Sequence, residues 1–94
     1  MADGSQPTPI PGYMMVRYYF DVRDDDGVTR DEVGQALVDA SAIDGWALAI
    51  ASDIMRAELA MGTRRLAAFV LVRDPGDVVL HEIPFGYAIG QVPA

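Results

Sequence analysis

Four aspartates fall within six residues, at Asp21, Asp24, Asp25 and Asp26, and an acidic pair, Asp31-Glu32, follows shortly after. Carboxylates this dense suit a hard cation, because calcium and magnesium bind through oxygen ligands. An EF-hand loop needs acids at its first, third and fifth positions, glycine at its sixth and glutamate at its twelfth. With Gly27 at the sixth position, Asp24 and Asp26 take the third and fifth, but the first is Val22 and the twelfth Val33. The pattern fails at both ends. A looser calcium or magnesium site would draw on Asp24, Asp26, Asp31 and Glu32. The competing reading, preferred here, is a solvated turn, since aspartate side chains hydrogen-bond nearby backbone amides and Gly27 accepts positive φ. For Asp31-Glu32 the corresponding reading is a hydrogen-bonded loop.

His81 is the only histidine. A general base needs a nucleophile or an orienting carboxylate within reach, and the spacing identifies neither. Ser41 and Ser52 lack the flanking glycines of a nucleophile elbow. Gly34, Gly45 and Gly62 stand alone, so no phosphate-cradling loop is present. Arg64-Arg65 follows directly on an expected helix end, where cations suit the helix dipole. No catalytic residue and no cofactor-binding residue is assigned, and the chain is read as non-enzymatic.

The elements that position these residues follow from periodicity. From Val16 to Arg23 the residues alternate: Val16, Tyr18, Phe20 and Val22 on one face, Arg17, Tyr19, Asp21 and Arg23 on the other. That is a half-buried strand. Asp24-Asp25-Asp26-Gly27 ends it, Val28 to Arg30 returns as a short second strand, and Asp31 to Leu37 is either loop or edge strand. Ile43, Ala47, Ile50, Ile54, Ala57 and Met61 recur at steps of four and three, an apolar helical stripe. A helix is predicted from about Ala40 to about Met61, capped by Asp39 or by a Ser41/Asp44 box and ended by Gly62. Leu66 to Arg73 and Val78 to Phe85 form a hairpin around Asp74-Pro75-Gly76-Asp77, with the positive φ assigned to Gly76. Beyond Pro84 the glycine-spaced chain reads as irregular.

This order predicts an α+β fold: a small antiparallel sheet of about four strands (β-β-α-β-β) with one long helix packed on one face. Tyr18, Phe20, Ile50, Ile54, Val70 and Leu80 are the expected core. Residues 1–13, with alternating Pro7, Pro9 and Pro11, read as a flexible tail, and residues 14–94 as a single domain.

Composition limits function further. The 94-residue chain has a net charge of −7, no cysteine and no lysine, and its seven basic residues are all arginine. An acidic chain with scattered arginines disfavours nucleic acid. No apolar run approaches the ~20 residues that span a bilayer, and no basic region precedes an apolar stretch near the N-terminus, as a secretory signal requires. The absence of cysteine fits a reducing cytoplasm. A domain of this size buries a modest share of its surface, so oligomerisation is a natural support.

Surplus apolar surface is the informative feature. Leu48, Met55 and Leu59 form a second helical stripe well away from the first, and Phe69 and Leu71 lie opposite Val70 and Val72 on their strand. One helix covers one sheet face, and large exposed apolar patches mark contact surfaces. Leu48, Met55, Leu59, Phe69 and Leu71 are the candidate interface residues. A homo-oligomer, most simply a dimer, is expected, with an unknown protein partner as the alternative.

VRYYFDVRDDDG, then DEVGQALVDASAI, a helix, and LVRDPGDVVLHEIPF together resemble a family of short bacterial proteins known only as a domain of unknown function. The resemblance spans about residues 15–85. Its members show an aromatic strand ending in an acidic-glycine turn, an acid-acid-x-Gly segment, an aspartate-capped helix and a hairpin ending in Pro-Phe. Asp31-Glu32-Val33-Gly34, Asp39 and Pro84-Phe85 stand at the matching places. The resemblance implies a fold and no activity. The order of elements is also similar to the antitoxin-like fold of toxin–antitoxin partners, which adds the alternative of a regulator that binds a basic protein through its acidic surface.

Overall fold

The computed structural model describes residues 15–90; the proline-rich tail expected over residues 1–13 lies outside the described residues. The elements are β1 (Val16–Asp24), β2 (Gly27–Thr29), β3 (Gln35–Leu37), α1 (Ala42–Ala60), β4 (Arg65–Arg73) and β5 (Val79–Ala88). The fold is α+β: among the described residues, an antiparallel sheet with a single helix on one face. Among the described residues the sheet has five strands, against the expected four or so, because Gln35–Leu37 joins as an edge strand. The order is β2-β1-β4-β5. β3 lies on the same side of β1 as β2, pairing with Val16–Tyr18 while β2 pairs with Val22–Asp24.

Alternation along β1 and β4 builds the core. Phe20, Val70 and Val72 point to the helix and meet Leu37, Ile43 and Ala47, with Tyr18, Ile50, Ile83 and Phe85 packed around them. Val70 and Val72 have no exposed surface. Burying side chains of this size contributes about 1.5–3 kcal/mol each.

Leu80, expected in the core, is 42% exposed. The pairing runs Val72↔His81 and then Arg73↔Val79, so Leu80 is the extra residue of a bulge. A bulge leaves one residue without a partner and turns the strand locally, and Ile83 and Phe85 supply the apolar contact instead. Ile54 is half-buried. Met61, at the end of the predicted core stripe, is 78% exposed, and the buried helix residues Ile43, Ala47 and Ala51 all belong to its first half.

The helix ends differ in how well they were anticipated. Ser41 occupies the N-cap position but makes no capping bond to the helix, so the Ser41/Asp44 box does not form. Asp39 works two residues earlier: its Oδ1 accepts the Ser41 N–H at 2.9 Å and the Ser41 hydroxyl. At the other end Gly62 takes φ +87°. Its N–H donates to Leu59 O and the Thr63 N–H to Glu58 O, the paired bonds of a Schellman cap.

The chain after Pro84 is not irregular. β5 runs to Ala88, held against β4 by the register Arg65↔Ala88 to Val70↔Ile83, and the Tyr87 hydroxyl donates to Thr63 O at 2.7 Å. Gly86 permits this: a Cβ there would stand 2.1 Å from Leu66 O. The glycine read as a breaker is a point of close backbone approach. In the β4–β5 turn the positive φ, 70°, falls on Asp77 and not on Gly76. The turn is a type I turn followed by a left-handed residue, a common three-residue hairpin loop, and aspartate tolerates that conformation better than most residues. Among the described residues β5 is the outer strand on its side, and Pro84 lies within it opposite Phe69.

Candidate functional site

The sheet face turned away from α1 carries Arg17, Tyr19, Asp21 and Arg23 on β1 beside Phe69, Leu71 and Arg73 on β4. Alternation predicts this face as solvent. Two of its charged residues are nevertheless buried, Asp21 at 4% and Arg73 at 6% exposure. Arg73 Nε and Nη2 donate to the two Asp21 oxygens at 2.6 and 3.0 Å. Nη2 also donates to Asp31 O at 3.0 Å, and Nη1 to Asp77 Oδ1 at 2.6 Å. The guanidinium carbon sits 4.8 Å from the centre of the Tyr19 ring. A planar donor fork on a carboxylate, stacked on an aromatic ring, is arginine-specific geometry.

Asp31 closes the network. On the outer edge of β1, β2 bonds at Val22 and β3 at Tyr18, which leaves the Phe20 N–H between them without a strand partner. Asp31 Oδ2 accepts it at 3.0 Å, while Oδ1 accepts the Val33 and Gly34 N–H groups, each at 3.0 Å. The Asp31 N–H in turn donates to Asp21 Oδ1 at 2.9 Å. One carboxylate thus replaces a missing rung of the sheet. Gly34, at φ +74°, lets the loop lie close to Arg17 and Tyr19.

Electrostatics follow the geometry. Burial works against the charge of Asp21, but the Arg73 hydrogen bonds, the Asp31 N–H and the charges of Arg73 and Arg30 outweigh it, and its pKa lies below the usual carboxylate value. Burial opposes the Asp31 charge too, and the Gly34, Phe20 and Val33 N–H groups with the Arg73 charge carry its pKa downward. Asp77 is lowered chiefly by its bond to Arg30, at 2.8 Å.

The four residues considered for a metal do not converge. Asp24 Oδ1 accepts the Asp26 N–H at 2.8 Å within the β1–β2 turn, and this turn borders a depression shared with Glu58 and Thr63. Asp31 and Glu32 border a different one, with Arg30, Arg73 and Asp77. Among the described residues no group of three or more His, Asp or Glu side chains is placed to hold a metal ion. Asp31 is committed to three backbone donors. His81 is exposed on β5, opposite Val72.

The five candidate interface residues separate by element. Leu71 is 8% exposed within the single chain. Phe69 is half-buried, with the Arg23 guanidinium 4.6 Å from its ring centre and Arg23 paired to Glu82 at 3.3 Å. Leu48 and Leu59 on the helix are 65% and 45% exposed, and Met55 is half-buried. Sequence reasoning missed the Asp21–Arg73 pair. Its one signal was an arginine and an aspartate at the same alternation phase of two apolar strands.

No helix among the described residues is long and apolar enough to cross a membrane. No curated protein and no solved structure matches the chain. A family model does match, over residues 17–86. That span runs from the start of β1 to Gly86 and takes in the acidic loop, the helix and the Pro-Phe pair, so the chain belongs to the family described as Domain of unknown function (DUF6894).

Proposed function

We propose that the protein is a non-enzymatic interaction module that associates with a second copy of itself through the outer face of α1. The observation that carries this reading is where apolar surface remains open. On the outer sheet face Leu71 is buried within the chain and Phe69 lies under Arg23. On the helix Leu48 and Leu59 remain exposed.

The chain carries −7 overall, so association of two copies works against like charge and is expected to strengthen with added salt. Around the Leu48/Met55/Leu59 stripe the charged residues are Asp44, Glu58 and Arg56, the last paired with Asp53 at 3.3 Å.

The test is sedimentation velocity on the full chain over a wide concentration range, beside a Leu48→Glu/Leu59→Glu variant and a Phe69→Thr variant. The expected result is a concentration-dependent dimer for the parent chain and for Phe69→Thr, and a folded monomer for the double variant. A parent chain that stays monomeric throughout, or a double variant that still dimerises, overturns the reading. Capture of a basic protein by the monomeric chain would assign the surface to that partner instead.

A further inference from the structure

An Asp-Gly bond has a chemistry of its own. The glycine nitrogen attacks the aspartate Cγ, since no glycine side chain hinders the approach. A five-membered succinimide forms as a carboxyl oxygen leaves with two protons as water. Water then opens the ring at either carbonyl. One product is aspartate; the other is isoaspartate, with the main chain rerouted through the former side chain. No atom is gained or lost overall. The chain contains three such bonds, Asp3-Gly4, Asp26-Gly27 and Asp44-Gly45, and the last two lie among the described residues.

These two bonds sit in opposite settings. Asp44 and Gly45 are within α1, where the Gly45 N–H belongs to the carbonyl four residues earlier. Ring closure needs rotation about the Asp44 Cα–C bond, and the intact helix forbids it. Asp26 is the second residue of the exposed β1–β2 turn, and Gly27 opens β2. That hairpin has three residue pairs, Val22↔Thr29, Arg23↔Val28 and Asp24↔Gly27, so its last pair frays at small cost. Asp24 Oδ1 holds the Asp26 N–H at 2.8 Å. Among the described residues, however, the Asp26 carboxylate accepts no hydrogen bond and joins no ion pair. The space beside Gly27 is open, with no atom within 4 Å of where a Cβ would stand. The electrophile is untethered and the nucleophile is unshielded.

Independently of self-association, we infer that Asp26-Gly27 is a site of spontaneous isomerisation in the folded protein, while Asp44-Gly45 is spared. The product carries one more methylene in the main chain between Asp26 and Gly27, so the pairing of Asp24 with Gly27 is lost. Asp31 confines the change. Its carboxylate holds the Phe20 N–H and its own N–H holds Asp21, which anchors the chain just after β2. The isomer therefore stays folded and differs at its acidic tip, where the new α-carboxylate projects from the turn.

Trypsin separates the three bonds, because Arg17, Arg23, Arg30 and Arg56 place them in different peptides. The full chain is incubated at neutral pH below its unfolding temperature, with and without urea. Isoaspartate is read in each peptide by fragmentation mass spectrometry. A second readout is labelled methyl passed from S-adenosylmethionine to the isoaspartyl carboxylate by an isoaspartyl methyltransferase. In the folded chain the 24–30 peptide is expected to acquire label. The 31–56 peptide is expected to acquire it at least about tenfold more slowly, the factor that an opening step of about 1.4 kcal/mol imposes. Urea is expected to bring the two rates together. Asp26→Glu, whose longer side chain does not close the five-membered ring, is expected to remove the signal from the 24–30 peptide. A folded chain that gains no isoaspartate at Asp26, while the urea-unfolded chain does, overturns the proposal, because the turn then protects the bond. Equal rates in the two peptides of the folded chain, or a signal that survives Asp26→Glu, overturn it as well.

Discussion

Asp21 and Arg73 stand 52 residues apart in the chain and meet through two charged hydrogen bonds, at 2.6 and 3.0 Å, on adjacent strands. The pair ties β1 to β4, and through Asp31 and Asp77 it holds the β2–β3 loop and the β4–β5 turn. Removing one partner leaves a buried charge uncompensated. Asp21→Ala or Arg73→Ala is expected to cost about 3–5 kcal/mol in urea unfolding. The double variant Asp21→Ala/Arg73→Ala is expected to cost less than the sum of the single losses, because no unpaired guanidinium or carboxylate remains. Additive losses in that cycle would show that the two residues act independently.

Acid should expose the same network. The folded-state pKa values of Asp21 and Asp31 lie below the usual 3.8. A depressed carboxylate contributes stability that is complete above the unfolded value and is lost as pH falls through the folded one. Stability is therefore expected to change little on this account from neutral pH to about pH 5, and to fall below about pH 4. Asp31→Asn should lower stability at neutral pH and flatten that acid limb. An acid limb as steep as the parent's would remove Asp31 from the account.

Two glycines are expected to resist even alanine. At Gly86 a Cβ would stand 2.1 Å from Leu66 O, and at Gly34, with φ +74°, 3.0 Å from Tyr18 O. Each Gly→Ala change should cost about 1–3 kcal/mol. Gly45→Ala, in open space on the helix, should raise the thermal stability of the monomer instead. A neutral Gly86→Ala variant would mean that β5 ends earlier than Ala88.

Millimolar calcium or magnesium is expected to leave Tm unchanged. A cation present at about 100 times its Kd would add about 2.7 kcal/mol, which for a domain of this size is a rise of about 10 °C or more. A rise of that size, abolished by Asp24→Asn/Asp26→Asn, would restore a metal role to the β1–β2 turn.

Much of the fold was legible in the sequence. The two-residue period of β1 and β4 and the 3-4 stripe of the helix are signals of burial, and burial is what these elements share. The exceptions lie where backbone geometry decides. Leu80 alternates correctly but falls at a bulge, and the strand period carries no mark of where a register shifts. Gly86 looked like a breaker because composition does not separate a flexible glycine from one in tight contact. The acidic residues were readable as turn chemistry at Asp24 and Asp26. Asp31 and Asp21 were legible only as acids: whether a carboxylate faces solvent, a cation or three backbone amides depends on contacts distant in sequence.

Pro84 has a consequence for the molecule in company. The Ile89 N–H donates inward to Arg64 O, so by alternation the even-numbered residues of β5 beyond the Leu80 bulge, Pro84 among them, turn their backbone groups outward. A neighbouring strand that tried to extend the sheet there would meet a ring where it needs a donor. In concentrated solution, a small protein whose outer strand is unpaired among the described residues is at risk of joining others edge to edge. One imino acid interrupts that template.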